Sequence, residues 1–425
     1  MATAAQRTIP SYAASLSVRA ESPQAAKEAA DRAVQRLGDA RPDLAFLFLT
    51  APHVPRAGEI AALVGRITDA RYLVTMSASG VIGGGVEVES GPGISLLLAS
   101  MPGVNIRPFL LADLPRVPDQ PSPDWYKDVF APAMHIEPGH AATFVFADPY
   151  SVPLVRTLPA MSRAGKNAPI IGSLASSGKA PGQNVIGLND QMMTTGGLGV
   201  SISGDIAIDG VVSQGCKPIG PTMLVTKARD NVILELSGKR AVDTLRDSVQ
   251  GLSAKSRTAL TKGMLLGRVI NEYKERFGQG DFLIRGVKAI ENANGAVISD
   301  DFFRVGQTVQ LHVRDAESAR GDLEMVLDAQ KLNAKPDAGL LFTCSQRGVK
   351  LFGEPSTDAS AVIRAFSPAA AGVEQAKSGQ RIDVGKQALP LAGAFSGGEI
   401  GPVGEMSYLH TMTAGLTLFR SDRPA

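Results

Sequence analysis

The residues best suited to chemistry lie near the end of the chain. There the apolar run Leu389-Pro-Leu-Ala-Gly-Ala-Phe-Ser396 breaks into Gly397-Gly398-Glu399, and His410 follows a second apolar stretch. Glycines let a backbone take positive φ or come close to a bound group, so Glu399 and His410 would stand beside exposed N–H donors. The plainer alternative is a Gly-rich hairpin with a surface carboxylate. Upstream, Cys344-Ser-Gln-Arg347 closes the run Gly339-Leu-Leu-Phe-Thr343 and offers a thiol and a guanidinium. A third cluster, Cys216-Lys217, sits inside the turn-rich block Ser213 to Pro221. A lysine beside a cysteine favours the thiolate, whereas a buried cysteine is simply a small apolar filler. The two cysteines are too few for a disulfide framework and match no zinc spacing, so a reducing cytoplasm is the expected setting. His53, His135 and His140 fall in loops and His312 on a strand, with no metal-ligand spacing, and neither a metal nor another cofactor is expected.

These residues need elements to hold them, and one pattern supplies them three times. Ala45 to Thr50 precedes a helical stretch (Glu59 to Ile67), then Tyr72 to Ala78 with a small-residue loop carrying Ser77, Ser79 and Gly80, then Ile94 to Ala99. Thr143 to Asp148, a helix near Val152 to Ala164, Pro169 to Gly178 and Leu198 to Ser203 repeat it, as do Gly339 to Cys344, a helix near Ala359 to Phe366, the Leu389 run and Leu416 to Phe419. Strand, helix, strand predicts a parallel pair, and the third strand is expected to fold back on the second as an antiparallel neighbour. Ligands in such sheets sit at the carboxyl ends of parallel strands, so the three loops are expected to line one or two clefts. The fold class that follows is α/β, with mixed β-sheets flanked by helices, built from repeated strand–helix–strand–strand units in two related domains.

Between the copies, Leu114 to Pro138 holds six prolines and the only tryptophan, and reads as a surface connector or lid anchored by Trp125-Tyr126. Strands at Met223 to Ala228 and Asn231 to Leu236 turn at Arg229-Asp230. Helical spacing over Ala241 to Leu252 and Ser256 to Phe277 places the domain seam near Ser237, dividing the chain into 1–237 and 238–425. A meander with a hairpin at Asn294-Gly295 and the helix Ala316 to Asn333 lead into the third copy.

Composition sets the limits. A chain of 425 residues has ample core for two or three domains. Its net charge is +2 with 20% charged residues and no basic cluster, which argues against nucleic acid as a partner. No apolar run reaches the roughly 18 residues of a membrane span. The first twenty residues carry Arg7 and Arg19 but no acid, faintly like a transit peptide, yet a strand from Tyr12 leads directly into an alanine-striped helix from Pro23 to Leu37.

Gly215-Cys-Lys-Pro-Ile-Gly220, Leu341-Phe-Thr-Cys-Ser-Gln-Arg-Gly348 with Leu351-Phe-Gly353, and Gly398-Glu-Ile-Gly-Pro402 with Leu409-His-Thr-Met-Thr413 together resemble the FIST proteins. Pro42 to Phe48 and Ser77 to Gly83 are similar to that family's first blocks. The resemblance runs over residues 12 to 420 and implies a FIST N-terminal and a FIST C-terminal domain. It also implies a small-ligand sensory module, with amino acids proposed as ligands. The fused signalling domains and the F-box of other family architectures have no counterpart here, so the output is expected to pass to a separate signalling or effector protein.

A soluble, cytoplasmic small-ligand sensor is therefore the favoured reading, with an amino acid or small carboxylate as ligand. Its expected binding residues are Ser77, Ser79, Gly80, Cys216, Lys217, Cys344, Arg347, Gly398, Glu399 and His410, with Arg347 and Glu399 brought side by side. The alternatives are a hydrolase or acyl-transfer enzyme using Cys344 or Cys216 with His410, and a protein-interaction scaffold. Nucleophile elbows, metal-ligand pairs and nucleotide loops do not appear in the sequence, and Gly83-Gly-Gly85 lacks both the dinucleotide glycine frame and a Walker lysine.

Overall fold

The computed structural model describes residues 9–166, 168–261, 263–291, 293–367 and 388–421. The chain forms two units. The first comprises residues 1–212, 324–409 and 414–425, and the second comprises 213–323 and 410–413.

All three predicted copies lie in the first unit, and each is longer than its sequence signature. Repeat one runs as an edge strand (Ser11–Ser17), a helix (Ser22–Leu37), a first strand (Leu44–Thr50), a helix (Ala57–Thr68), a second strand (Tyr72–Ala78), a hairpin (Val81–Gly83 and Val86–Val88) and a return strand (Ile94–Ser100). Repeat two has its edge strand at Asn105–Leu110, first strand at His140–Ala147, helix at Leu154–Ala164, second strand at Ile170–Leu174, hairpin at Ile186–Leu188 and Gln191–Met193, and return strand at Gly197–Ser203. Repeat three begins with Ala207–Gln214. After the second unit has intervened, it continues with a helix (Ala316–Gln330), first strand (Ala338–Cys344), helix (Thr357–Phe366), second strand (Leu391–Ser396), hairpin (Glu399–Val403 and Met406–His410) and return strand (Thr413–Arg420).

In every repeat the first and second strands are parallel, as a strand–helix–strand crossover gives. The return strand, however, pairs antiparallel with the first strand and not with the second. The reason is that the outer edge of each second strand is already taken by a hairpin from another repeat. The hairpin of repeat one joins the second strand of repeat three (Val81 opposite Ala394). That of repeat three joins repeat two (Glu399 opposite Ser173), and that of repeat two joins repeat one (Ile186 opposite Met76). The exchange closes on itself and leaves three six-stranded mixed sheets of matching order.

The inner faces of the three sheets share one core. Alternate positions of the first strands point the same way, so Phe46 and Phe48, Phe144 and Phe146, and Phe342 converge, with ring centroids 5.1 to 6.4 Å apart. The outer faces are covered by helices. Ala25, Ala29 and Ala33 pack with Leu47 and Leu49 on one sheet. Leu158 and Met161 pack with Val145 and Ile170 on another. Burial on both faces is why the first strands read as unbroken apolar runs.

The proline-rich connector departs from expectation by coiling into short helical turns across Pro123 to Ala133. Pro123 follows the cap Ser122, whose Oγ accepts the Trp125 N–H, so its missing donor costs nothing there. Trp125 anchors it, 5.2 Å from the buried Phe130 ring.

The second unit is an antiparallel barrel. Strands Cys216–Arg229, Thr308–Arg314, Leu265–Val269, Phe282–Glu291, Ala296–Ser299 and Val232–Leu236 pair in that order, and the last returns to the first. The turn at Asp230 and the hairpin before Ala296 match the sequence reading. Two expectations are corrected. Ser213 to Pro221 is not a compact turn but mostly extended strand, with Pro218 in register opposite His312 and Pro221 accommodated where the register shifts between Ile219 and Thr222. The helix read over Ser256 to Phe277 stops at Leu260, and Leu265–Val269 is a central strand. There Gly267 leaves room for the His312 ring, whose nearest atom would lie 2.3 Å from a Cβ.

Candidate functional site

The carboxyl ends of the parallel strands in repeat three carry the densest buried charge among the expected site residues. Cys344 and Ser396 are opposite each other in register at those ends, so the Cys344–Arg347 and Gly397–Glu399 segments are neighbours, as expected. Arg347 is only 1% exposed. Its guanidinium does not use Glu399 as its hydrogen-bonded partner. It grips Asp358, at the start of the Thr357–Phe366 helix, through Nε and Nη2 at 2.8 Å each. Thr343 Oγ1 donates to the same carboxylate at 2.7 Å. The guanidinium carbon also lies 5.2 Å from the Phe352 ring centre, a cation–π distance.

Burial opposes the charge of Arg347, yet its pKa is raised above the ordinary value because Asp358 outweighs that penalty, with smaller pulls from Cys344 and Glu399. Both of those sequence-predicted residues are thus within electrostatic reach of the guanidinium. Arg347 Nη1 has no hydrogen-bond partner among the described residues. A buried guanidinium nitrogen without a partner is costly, and in native proteins such a group calls for a ligand, water or functional explanation.

The serine and glycine loops behave differently from the cleft linings anticipated. They interlock. Ser176 Oγ donates to the Phe395 carbonyl at 2.6 Å and accepts the Ser79 N–H at 2.9 Å. The Gly80 carbonyl accepts the Phe395 N–H, and the Gly398 carbonyl accepts the Leu174 N–H, each at 2.9 Å. Ser77 Oγ accepts from Val185 N–H and from Ser177 Oγ, both at 2.8 Å. Hydrogen bonds of Ser77, Ser79, Gly80 and Gly398 therefore join the three repeats to one another.

Cys344 is buried at 5% exposure. In the second unit, Cys216 is buried among Leu265, Val269, Phe282 and Ile284, which is the filler environment weighed for it. Lys217 beside it is exposed, and His410 is buried at the end of the Met406–His410 strand. Two surface grooves contain none of the expected site residues. One of about 410 Å³ is lined by Ser22, Arg56, Ile60 and Arg66, and one of about 380 Å³ by Pro221, Met223, Thr244 and Leu252.

Sequence reasoning missed Asp358 and Glu87. Asp358 sits in a first helical turn, where an acid reads as a favourable dipole partner on the surface. Glu87 alternates with valines in Val86-Glu-Val-Glu89, the pattern of a strand with one wet face. Instead it is 7% exposed, and its Oε1 accepts the Ala359 N–H at 2.8 Å. Among the described residues, no group of three or more His, Cys, Asp or Glu side chains is placed to hold a metal ion. Nor is any helix there long and apolar enough to cross a membrane.

Comparison with known proteins agrees with this architecture. The FIST N domain matches residues 43–239 and the FIST C domain residues 241–402. The chain belongs to the FIST family. Among curated relatives, an uncharacterised protein of Mycobacterium bovis is 32% identical over 402 residues, covering 94% of this chain and 96% of that one. An uncharacterised protein of Mycobacterium tuberculosis is 33% identical over 399 residues, covering 93% and 96%. A crystal structure of a cyanuic acid hydrolase from A. caulinodans aligns over 97% of this chain and 99% of that one at 10% identity, but its TM-score of 0.28 is too low to bear on fold or function.

Proposed function

We propose that this chain is a cytoplasmic small-ligand-binding sensory protein that takes an amino acid or similar small carboxylate and passes the signal to a separate effector protein. Family membership supports the class of module. The observation that carries the site is Arg347 Nη1, a cationic donor without a partner among the described residues, held in place because the other two guanidinium nitrogens are fixed on Asp358. A donor oriented in this way donates to a carboxylate oxygen at little entropic cost. Glu399, which Arg347 senses electrostatically, supplies the opposite charge that an amino group needs. Ser77, Ser79, Gly80 and Gly398 serve this reading by tying the repeats together behind the site.

The test is a thermal-shift screen of the whole protein against the proteinogenic amino acids and small metabolic carboxylates. A ligand that binds only the native state stabilises it by about 2.7 kcal/mol at about a hundredfold excess over Kd. The expected result is a concentration-dependent rise in Tm with one chemical class, and loss of that rise in Glu399→Gln, whose side chain has the same shape. If every compound leaves Tm unchanged and a protein partner binds through the same loops, the chain is an interaction scaffold.

A further inference from the structure

The hairpin that repeat one lends to repeat three is held by two glutamates. Its own strand pairing is short, with Val81, Ile82 and Gly83 against Ala394, Gly393 and Ala392 and one backbone hydrogen bond beyond each end, Phe395 N–H to the Gly80 carbonyl and Gly84 N–H to the Leu391 carbonyl. Beyond it, Glu87 Oε1 accepts the Ala359 N–H at 2.8 Å, in the first turn of the Thr357–Phe366 helix. The Glu87 N–H donates to Ser356 Oγ at 3.0 Å, and Ser360 Oγ donates to the Gly85 carbonyl at 3.2 Å. Glu89 accepts the Val349 N–H with both carboxylate oxygens, at 2.9 and 3.1 Å. Gly348 makes that seat possible, since a Cβ there would lie 2.5 Å from the Glu89 carboxylate and its φ is +63°. The starts of two helices of repeat three, the short Val349–Phe352 turn and Thr357–Phe366, are thus capped by acids from repeat one.

Charge makes this arrangement conditional. Glu87 faces Asp358 on the helix, Arg347 after the first strand, and Glu89 on its own hairpin. Lys350 is felt by Glu89. Asp358 has already taken Arg347 through two hydrogen bonds, so a second buried carboxylate beside it has no cation of its own. The second Glu87 oxygen, Oε2, has no partner among the described residues, which a neutral acid tolerates far better than an anion.

We propose that the Val81–Glu89 segment is a proton-controlled latch on repeat three, closed when Glu87 carries a proton and loosened when it is ionised. Burial first, and Asp358 next, push the Glu87 carboxyl up from 4.5 to about 8 when the hairpin is seated. Released into water, the same carboxyl returns to the ordinary range near 4.3. The seated state binds the proton more tightly, so the latch is firmest below the released pKa, weakens as pH rises from about 5 to about 8, and changes no further above that. Because Glu87 stands against Asp358, release would also free one side of the Arg347–Asp358 pair.

Native-state hydrogen exchange on the full chain tests this without any ligand. After correction for intrinsic rates, protection of the Ala359 and Val349 amides should fall by up to about tenfold per pH unit between pH 6 and 8, the one-proton slope. Glu87→Gln, which mimics the neutral acid, should flatten that slope and hold protection at its low-pH level. Ser356→Ala should lower protection at every pH and leave the slope intact. The latch is overturned if Glu87→Gln keeps the wild-type slope. It is equally overturned if the amides of Ala338–Cys344 lose protection in step with Ala359, which would mean global opening.

Discussion

Arg347→Ala should destabilise the protein by about 3–5 kcal/mol, the usual cost of removing one member of a buried ion pair. Asp358 is fully buried, and without Arg347 it keeps only the Thr343 hydroxyl among the side-chain contacts that stabilise its charge. Asp358→Ala should cost a similar amount for the converse reason, a guanidinium left in the interior. The paired change Arg347→Met with Asp358→Leu removes both charges, so it should cost much less than the two single changes summed. Urea unfolding measures all of these, with the midpoint moving and the slope unchanged. A loss below about 1 kcal/mol for Arg347→Ala would mean that the pair is exposed to water. The same reasoning rules out Arg347→Ala as a clean binding variant, which is how a clamp at a cleft surface would have behaved.

Gly393→Ala should be as damaging, at about 3 kcal/mol or more, by overpacking. Gly393 lies in the second strand of repeat three, and a Cβ there would sit 1.9 Å from the Leu341 carbonyl oxygen of the adjoining first strand. Both strands are internal to their sheet, so neither can move aside without breaking a further pairing. Repeat two has the same close approach at Gly172, whose Cβ would lie 1.9 Å from the Val145 oxygen. Repeat one carries Thr75 at the corresponding position, opposite Leu47. The contrast is Gly65, in the Ala57–Thr68 helix with nothing within 4 Å of a built Cβ, where alanine should be neutral or stabilise by up to about 1 kcal/mol. Equal costs at Gly393 and Gly65 would contradict the packing described here.

The repeats were legible because a strand buried on both faces leaves an apolar run, and the turn after each second strand leaves small residues. Both are local signals. The hairpin exchange was not, because Val81–Gly83 pairs about three hundred residues away with Ala392–Ala394, and short strands carry no mark of their partner. This also misplaced the return strands, whose position depends on which edge the exchanged hairpins leave open. Leu265–Val269 reads as helix in the sequence because a buried apolar run of five residues has no decisive period. The nearness of Arg347 to the Glu399 loop was legible from strand-end position, and the register of Cys344 with Ser396 explains it. Asp358 and Glu87 were hidden because their burial is a tertiary fact. On sequence alone, each fits a solvated surface.

The most direct test follows the Arg347 guanidinium by nuclear magnetic resonance while the amino acid or carboxylate selected by thermal shift is titrated into the whole protein. The Arg347 Nε–Hε resonance should be well dispersed, because that group donates to buried Asp358, and Asp358→Asn should move it. Saturable movement of this resonance, with the same Kd as the thermal shift and absent in Glu399→Gln, is the result expected of a ligand seated on Nη1. If the ligand raises Tm while the Arg347 resonance stays fixed at saturation, the ligand binds elsewhere on the chain and the repeat-three site is refuted.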